Sequence, residues 1–224
     1  MPGVARALVR EIFRGQNPYA DLRKEVAAKD LQGWGSKHPF LTDSIDRVKP
    51  AVIVEIGVWK GGSCLTMARH LKEAGMDAAV IAVDTWLGSW EHWVAPELFP
   101  QLSMQYGRPT LYHTFLNNVL VEELEDYVVP LPLDSANAVQ ILNHLRIRPQ
   151  MIHIDGGHDY DASSSDLRRW WPLLPAGGIL VVDDYDKDGR VWPTVRQAVD
   201  EFVLTIGPHE FEAAPYKCRI TKLG

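Results

Sequence analysis

With 224 residues, 46% of them hydrophobic and 23% charged, the chain suits one well-cored domain and is too short for two generous ones. A net charge of −6 with no lysine- or arginine-rich run argues against a surface that tracks nucleic-acid phosphates. Two cysteines, Cys64 and Cys218, are too few for a disulfide scaffold or a cysteine-based zinc site. The start, MPGVARALVREIFRGQ, is amphipathic and charged rather than a signal peptide, so a cytoplasmic protein with no membrane or nucleic-acid partner is expected.

Residues 1–50 open with a helical pattern, Val4, Leu8 and Ile12 on one face, followed by polar and Gly/Pro-rich text as far as Pro50. This segment reads as a helix packed on the rest of the fold or, functionally, as a lid or a homodimer contact; the remaining domain is 51–224. Val52–Ile56 has the length and branching of a buried strand, and Gly57-Val-Trp-Lys-Gly-Gly then turns it into a helix over Ser63–Glu73. Glycines at such a turn, here Gly57, Gly61 and Gly62, let a ligand approach the backbone and the helix N-terminus, although tight turns also need glycine for steric reasons alone. The next strand, Val80–Val83, ends in Asp84, 27 residues after Gly57, where nucleoside-binding α/β folds place an acid for the ribose hydroxyls. DTWLGSWEHW (84–93) has three tryptophans without strand or helix periodicity and reads as a loop lining a pocket. Residues 96–127 look helical, with an interruption near Gly107-Arg-Pro109. A third strand, Val128–Leu133, leads into Asp134 or Ser135 as the cap of a helix ending near Leu145, at an edge where a cofactor base could also be met.

The stretch Met151–Asp184 carries the chemistry. Met151–Ile154 and Ile179–Val182 read as parallel strands joined by a right-handed helical crossover, with Leu167, Trp170, Trp171 and Leu174 on its buried face and Pro172 near its end. Their C-terminal ends then lie side by side and bring Asp155 together with Asp183 and Asp184. Three carboxylates at one edge repel unless a cation or bound protons relieve them, which makes them a candidate site for magnesium or a similar divalent ion that prefers oxygen ligands. Tyr185–Pro193 is a polar loop, Thr194 a cap for a helix over Val195–Leu204, and His209–Ala213 with Tyr216–Thr221 an antiparallel pair. The sum is an open α/β sheet of about seven strands with ligands at the C-terminal strand edge.

These residues resemble a known family. Glu55-Ile-Gly-Val-Trp-Lys-Gly-Gly resembles the first motif of class I S-adenosylmethionine-dependent methyltransferases, Asp84 their ribose acid, and Asp134-Ser135 the turn that meets adenine. Asp155 with Asp183-Asp184, 28 and 29 residues on, is similar to the metal set of divalent-metal-dependent small-molecule O-methyltransferases of the catechol and antibiotic-sugar types. The resemblance covers about residues 50–222. It implies a Rossmann-like α/β sandwich, mostly parallel with one antiparallel edge strand, in the order 3-2-1-4-5-7-6. It further implies S-adenosylmethionine bound through Glu55, Gly57, Gly61, Gly62, Ser63, Asp84, Thr85, Trp86, Asp134, Ser135 and Asp155, and a divalent ion held by Asp155, Asp183 and Asp184. The implied reaction is metal-assisted methylation of a hydroxyl on a sugar or phenolic diol, with Asp155 and a nearby base as the catalytic groups.

His158 lies three residues after Asp155, where the catechol enzymes carry a catalytic lysine; the sugar enzymes place an aspartate one residue earlier, at the position of Gly157. His158 is therefore read as the base, or as a loop residue of structural use, with Asp159 and Asp161 as weaker candidates. His153 reads as a core residue or a support behind the metal ligands, Tyr160 as pocket wall or packing, and Asp166 as helix surface. Three other readings compete: a metal-independent methyltransferase, a nicotinamide-dependent oxidoreductase (disfavoured because Trp59 stands where GxGxxG needs glycine), and a nucleoside-binding module without catalysis.

Overall fold

The computed structural model describes residues 3–20, 22, 28–32 and 36–224; the parts of the 1–50 segment at 1–2, 21, 23–27 and 33–35 lie outside the described residues. Seven strands form one sheet: β1 (Val52–Ile56), β2 (Ala79–Val83), β3 (Val128–Leu131), β4 (Met151–Ile154), β5 (Ile179–Asp183), β6 (His209–Ala214) and β7 (Lys217–Lys222). Their order is β3-β2-β1-β4-β5-β7-β6. β1 to β5 pair in parallel, whereas β7 runs antiparallel to both β5 and β6. The antiparallel strand is thus one place in from the edge, and β6 is the edge strand.

Strands β1 to β5 are mostly apolar on both faces because helices cover both. On one face, α1 (Gly3–Phe13), α6 (Ser135–His144), α7 (Tyr160–Trp170) and α8 (Pro193–Val203) pack over Val54, Ile56, Ile152, Ile154, Leu180 and Val182. On the other, α2 (Pro39–Val48), α3 (Gly62–Glu73) and α5 (Leu111–Val121) cover Ile53, Val80, Met151 and Val181. A short helix, α4 (Trp90–Val94), lies beyond the end of β2.

The text before Pro50 reads as irregular in the sequence, yet it contains α2. The signals for this helix are local. His38 Nδ1 accepts the Phe40 N–H at 3.1 Å, Pro39 opens the helix, and Lys49 closes it in the left-handed region at φ 50° ahead of Pro50. Leu41 and Ile45, one turn apart, are its buried anchors. Within 96–127 the helical reading holds only at a 3-10 turn over Phe99–Leu102 and at α5. Helix α8 starts at Pro193 with Trp192 in the cap position, so Thr194 is not the cap.

Candidate active site

Because β1, β2, β4 and β5 are parallel, their C-terminal ends form one edge, and the turns leaving them meet there. Gly57 leaves β1 at φ 79°, and a Cβ on it would lie 1.8 Å from the carbonyl oxygen of Asp155, so the approach of the β4 end dictates glycine. Gly61 adopts φ 95° with the Phe115 ring 2.8 Å from the place of a Cβ. Asp84 binds this turn: Oδ2 accepts the N–H groups of Val58 and Trp59, each at 2.8 Å, and Oδ1 accepts that of Trp86 at 2.7 Å. A carboxylate has about four acceptor positions, so roughly one is left for a ligand hydroxyl. From the other side Asn118 clamps residue 30 to the turn, accepting the Asp30 N–H at 2.9 Å and donating to the carbonyls of Asp30 (2.7 Å) and Lys60 (2.9 Å). Lys60 is ion-paired with Asp30 at 2.8 Å.

Several residues expected to touch a cofactor do other work. Trp86 is core, 1% exposed, stacked on Phe115 and donating to the Trp59 carbonyl at 2.8 Å. Of the three tryptophans in this loop, Trp90 and Trp93 are exposed, so the loop splits between core and surface. Glu55 is fully buried and accepts from Ser63, so neither faces an open cleft. Thr85 is exposed, with its hydroxyl accepting the Leu87 N–H at 3.3 Å. Asp134 caps α6 by accepting the Asn137 N–H at 2.9 Å, and its bonds to Asn137 hold its carboxyl below the usual range. Ser135 donates to Asp166 and accepts from Trp170 Nε1 at 2.8 Å. Asp166, expected on the helix surface, is buried beneath Gly156, and that burial pushes its carboxyl up. Asp159 is the cap of α7 and Tyr160 donates to Glu201.

The strand ends do bring Asp155, Asp183 and Asp184 together. With His158 they line a cavity of about 10 Å³, room for one water or one small ion. Their pairing is specific. Asp183 stands opposite Lys217 in the β5–β7 register, and the buried ammonium is ion-paired with its Oδ2, while Oδ1 accepts the Asp184 N–H at 2.8 Å. Asp184, at φ 58°, aims its carboxylate at His158 Nε2, 3.0 Å away. The His158 ring stacks on Trp192 (centroids 4.0 Å apart, 24° between planes), and its carbonyl accepts from Thr194 at 2.6 Å. Burial lowers the His158 pKa, but the bond to Asp184 and its charge more than offset this, so the imidazole titrates above its ordinary value. Burial, then the neighbouring Asp183, pushes the Asp155 carboxyl well up.

A buried polar row continues from Lys217 across the sheet. The ammonium donates to His153 Nε2 at 3.2 Å, and His153 Nδ1 meets Glu55 Oε1 at 2.9 Å. Since an ammonium only donates, His153 is the neutral Nδ1–H tautomer, and burial followed by the Lys217 charge keeps its pKa well below normal. Burial pushes Glu55 up to about 8.

The donor types suit a hard cation, but the pairing does not present an open ligand set. Both oxygens of Asp183 are engaged and the Asp184 carboxylate is held by His158. This departs from the expected metal triad, and the cause is Lys217, which supplies a positive charge from inside the fold. Among the described residues, the trio whose ligand atoms do lie within 4.8 Å of one another is Glu55, His153 and Asp155 rather than the three aspartates, and both nitrogens of its His153 are occupied.

Nothing in the local sequence singles out Lys217. Lys-Cys-Arg-Ile-Thr-Lys alternates as a half-exposed strand does, yet Lys217, Arg219 and Thr221 are all buried because α2 covers their face.

Comparisons with known proteins identify the family and the fold. The methyltransferase domain family matches residues 54–185, more than half of the chain, from within β1 to the β5 carboxylates. A Sinorhizobium fredii protein described as uncharacterised, y4gI, is 22% identical over 67% of this chain, but the match spans only 15% of its own length. An uncharacterised protein of Acanthamoeba polyphaga mimivirus, R132, is 25% identical over 75% of this chain and 65% of its own. Among solved structures, the O-methyltransferase NovP superposes with a TM-score of 0.60 at 20% identity, over 82% of this chain and 78% of that one. A Bacillus cereus O-methyltransferase in complex with S-adenosylhomocysteine does so with a TM-score of 0.56 at 16% identity, over 97% and 96%. At such identities the superpositions establish the shared fold. The family match covers both the glycine turn and the carboxylate edge, and the chain therefore belongs to the methyltransferase domain family.

Proposed function

We propose that the protein transfers a methyl group from S-adenosylmethionine to a hydroxyl oxygen of a small molecule, with His158 as the proton acceptor. The observation that carries this reading is the His158–Asp184 pair, 3.0 Å apart and lining the cavity at the strand ends where the turns from β1 and β2 also converge. The choice of donor draws support from the Bacillus cereus O-methyltransferase, which shares this fold and is in complex with S-adenosylhomocysteine. The glycine turn would hold the donor, with the remaining acceptor position of Asp84 on a ribose hydroxyl.

The chemistry follows from what these side chains can do. A neutral hydroxyl attacks a sulfonium methyl poorly, and removing its proton as the O–CH3 bond forms contributes on the order of 10²–10⁴-fold. Asp184 accepts from one nitrogen of His158 and favours the imidazolium that forms, while Trp192 fixes the ring plane. The proton leaves the acceptor oxygen, the electron pair of the S–CH3 bond returns to sulfur, and S-adenosylhomocysteine is the product. Trp192, partly exposed and stacked on His158, gives the acceptor side an aromatic wall suited to a phenol or the apolar face of a sugar.

A metal-assisted form of the same transfer draws support from the three carboxylates lining one cavity; Asp155, Asp183 and Asp184 would then hold the ion, and Lys217 would have to release Asp183. It also asks for a diol able to chelate, whereas the form proposed here needs one hydroxyl. The test is S-adenosylhomocysteine binding by calorimetry, together with turnover on catechols, phenols and hexosides. Binding is expected, with transfer reduced about 100-fold or more in His158→Ala. Absence of both S-adenosylhomocysteine binding and methyl transfer would overturn the reading.

A further inference from the structure

We propose that Lys217 is the resident cation of the carboxylate edge: its ammonium stands where a divalent ion would otherwise be needed and positions Asp183, and through it the His158–Asp184 pair. The inference rests on the functional reading above for what is being positioned, and on geometry for the rest. Lys217 is fully buried and directly opposite Asp183 across the β5–β7 ladder, so the two side chains share the face that α2 closes. A lysine there has no route to solvent, and a buried ammonium is tolerated only with partners that answer its charge and its protons. It has them in Asp183 and in His153 Nε2. The other titratable groups close enough to feel its charge are Asp155, Glu55, His38 and Cys218, so one ammonium serves the carboxylates gathered there.

Lys217 acts on the catalytic pair through a short chain. It holds Asp183 Oδ2, Asp183 Oδ1 accepts the Asp184 N–H, and that turn, left-handed at Asp184, directs the Asp184 carboxylate to His158. A divalent ion entering the cavity would compete with the ammonium for Asp183 and be repelled by it. The same three carboxylates without Lys217 would be an open set of hard oxygen ligands.

The test uses Mn2+ alone as the probe, read by electron paramagnetic resonance on the full chain without acceptor. The wild type and Lys217→Arg, which keeps the charge, are expected to leave the Mn2+ signal unchanged. Lys217→Met is expected to bind Mn2+ at least about tenfold more tightly, with the gain lost in Lys217→Met combined with Asp155→Asn. A purely structural lysine would not produce this gain. Mn2+ bound by the wild type and released in Asp183→Asn would overturn the proposal, even if Lys217→Met proved too unstable to purify. So would a folded Lys217→Met that binds no more tightly than the wild type. Neither result touches S-adenosylhomocysteine binding or turnover, so failure of the Lys217 assignment and failure of the methyl-transfer reading are separately visible.

Discussion

His158 is held on three sides: Asp184 at Nε2, Trp192 against the ring, and Thr194 on its carbonyl. Only the neutral imidazole can take a proton. Because Asp184 raises its pKa, kcat/KM is expected to climb with pH along a limb centred above the ordinary histidine value of about 6.5. Asp184→Asn removes the charge, so the limb should move to lower pH while the maximum rate falls; a limb that stays in place would assign it to another group. At this scale the sequence is partly legible. Gly57 and Asp84 stand out because a turn between a strand and a helix restricts what can occupy it. Asp166 and Lys217 do not, because burial of a charge depends on partners far away in the chain, here Ser135 and Asp183.

Between elements, the buried row Glu55–His153–Lys217–Asp183 ties β1, β4, β7 and β5 together on the α2 face. It also gives the fold a pH dependence. Glu55 titrates near 4.5 in the unfolded chain and at about 8 in the fold, so the folded state binds the extra proton between those values. Its contribution is complete below about pH 4.5 and is lost as pH rises towards 8, by up to about 1.4 kcal/mol per pH unit. His153 has the opposite sign: its pKa is depressed, so its contribution is present above about pH 6.5 and lost on acidification. Urea midpoints of the wild type are therefore expected to fall between about pH 6.5 and 8, and those of Glu55→Gln to fall less. Parallel slopes for the two would remove Glu55 from the row. A second outcome concerns the β1–α3 turn. Gly57→Ala places a methyl against the Asp155 carbonyl at a left-handed residue, and a loss of about 3 kcal/mol or more is expected in the same urea measurement.

The whole molecule is a sheet with two closed faces and one working edge, and that plan is readable in the chain. Val52–Ile56 and Met151–Ile154 end at glycine or aspartate and are mostly apolar, so their limits can be read, and the helical crossover gives the parallel pairing of Met151–Ile154 with Ile179–Val182. Helix α2 escapes because its anchors, Leu41 and Ile45, are sparse among polar residues, and its presence is what turns the polar face of β7 into interior. Missing α2 therefore means missing Lys217, and with it the charge that answers the carboxylates. No helix among the described residues is long and apolar enough to cross a membrane. The working edge gathers a glycine turn, a histidine–aspartate pair and an internal ammonium, a set that the proposed methyl transfer to a hydroxyl uses without a divalent ion. Turnover after dialysis against EDTA decides this, with labelled S-adenosylmethionine and a hydroxyl acceptor shown to be used. Rates unchanged by chelation and by added Mg2+ are the expected result; activity abolished by EDTA and restored by Mg2+ would contradict it.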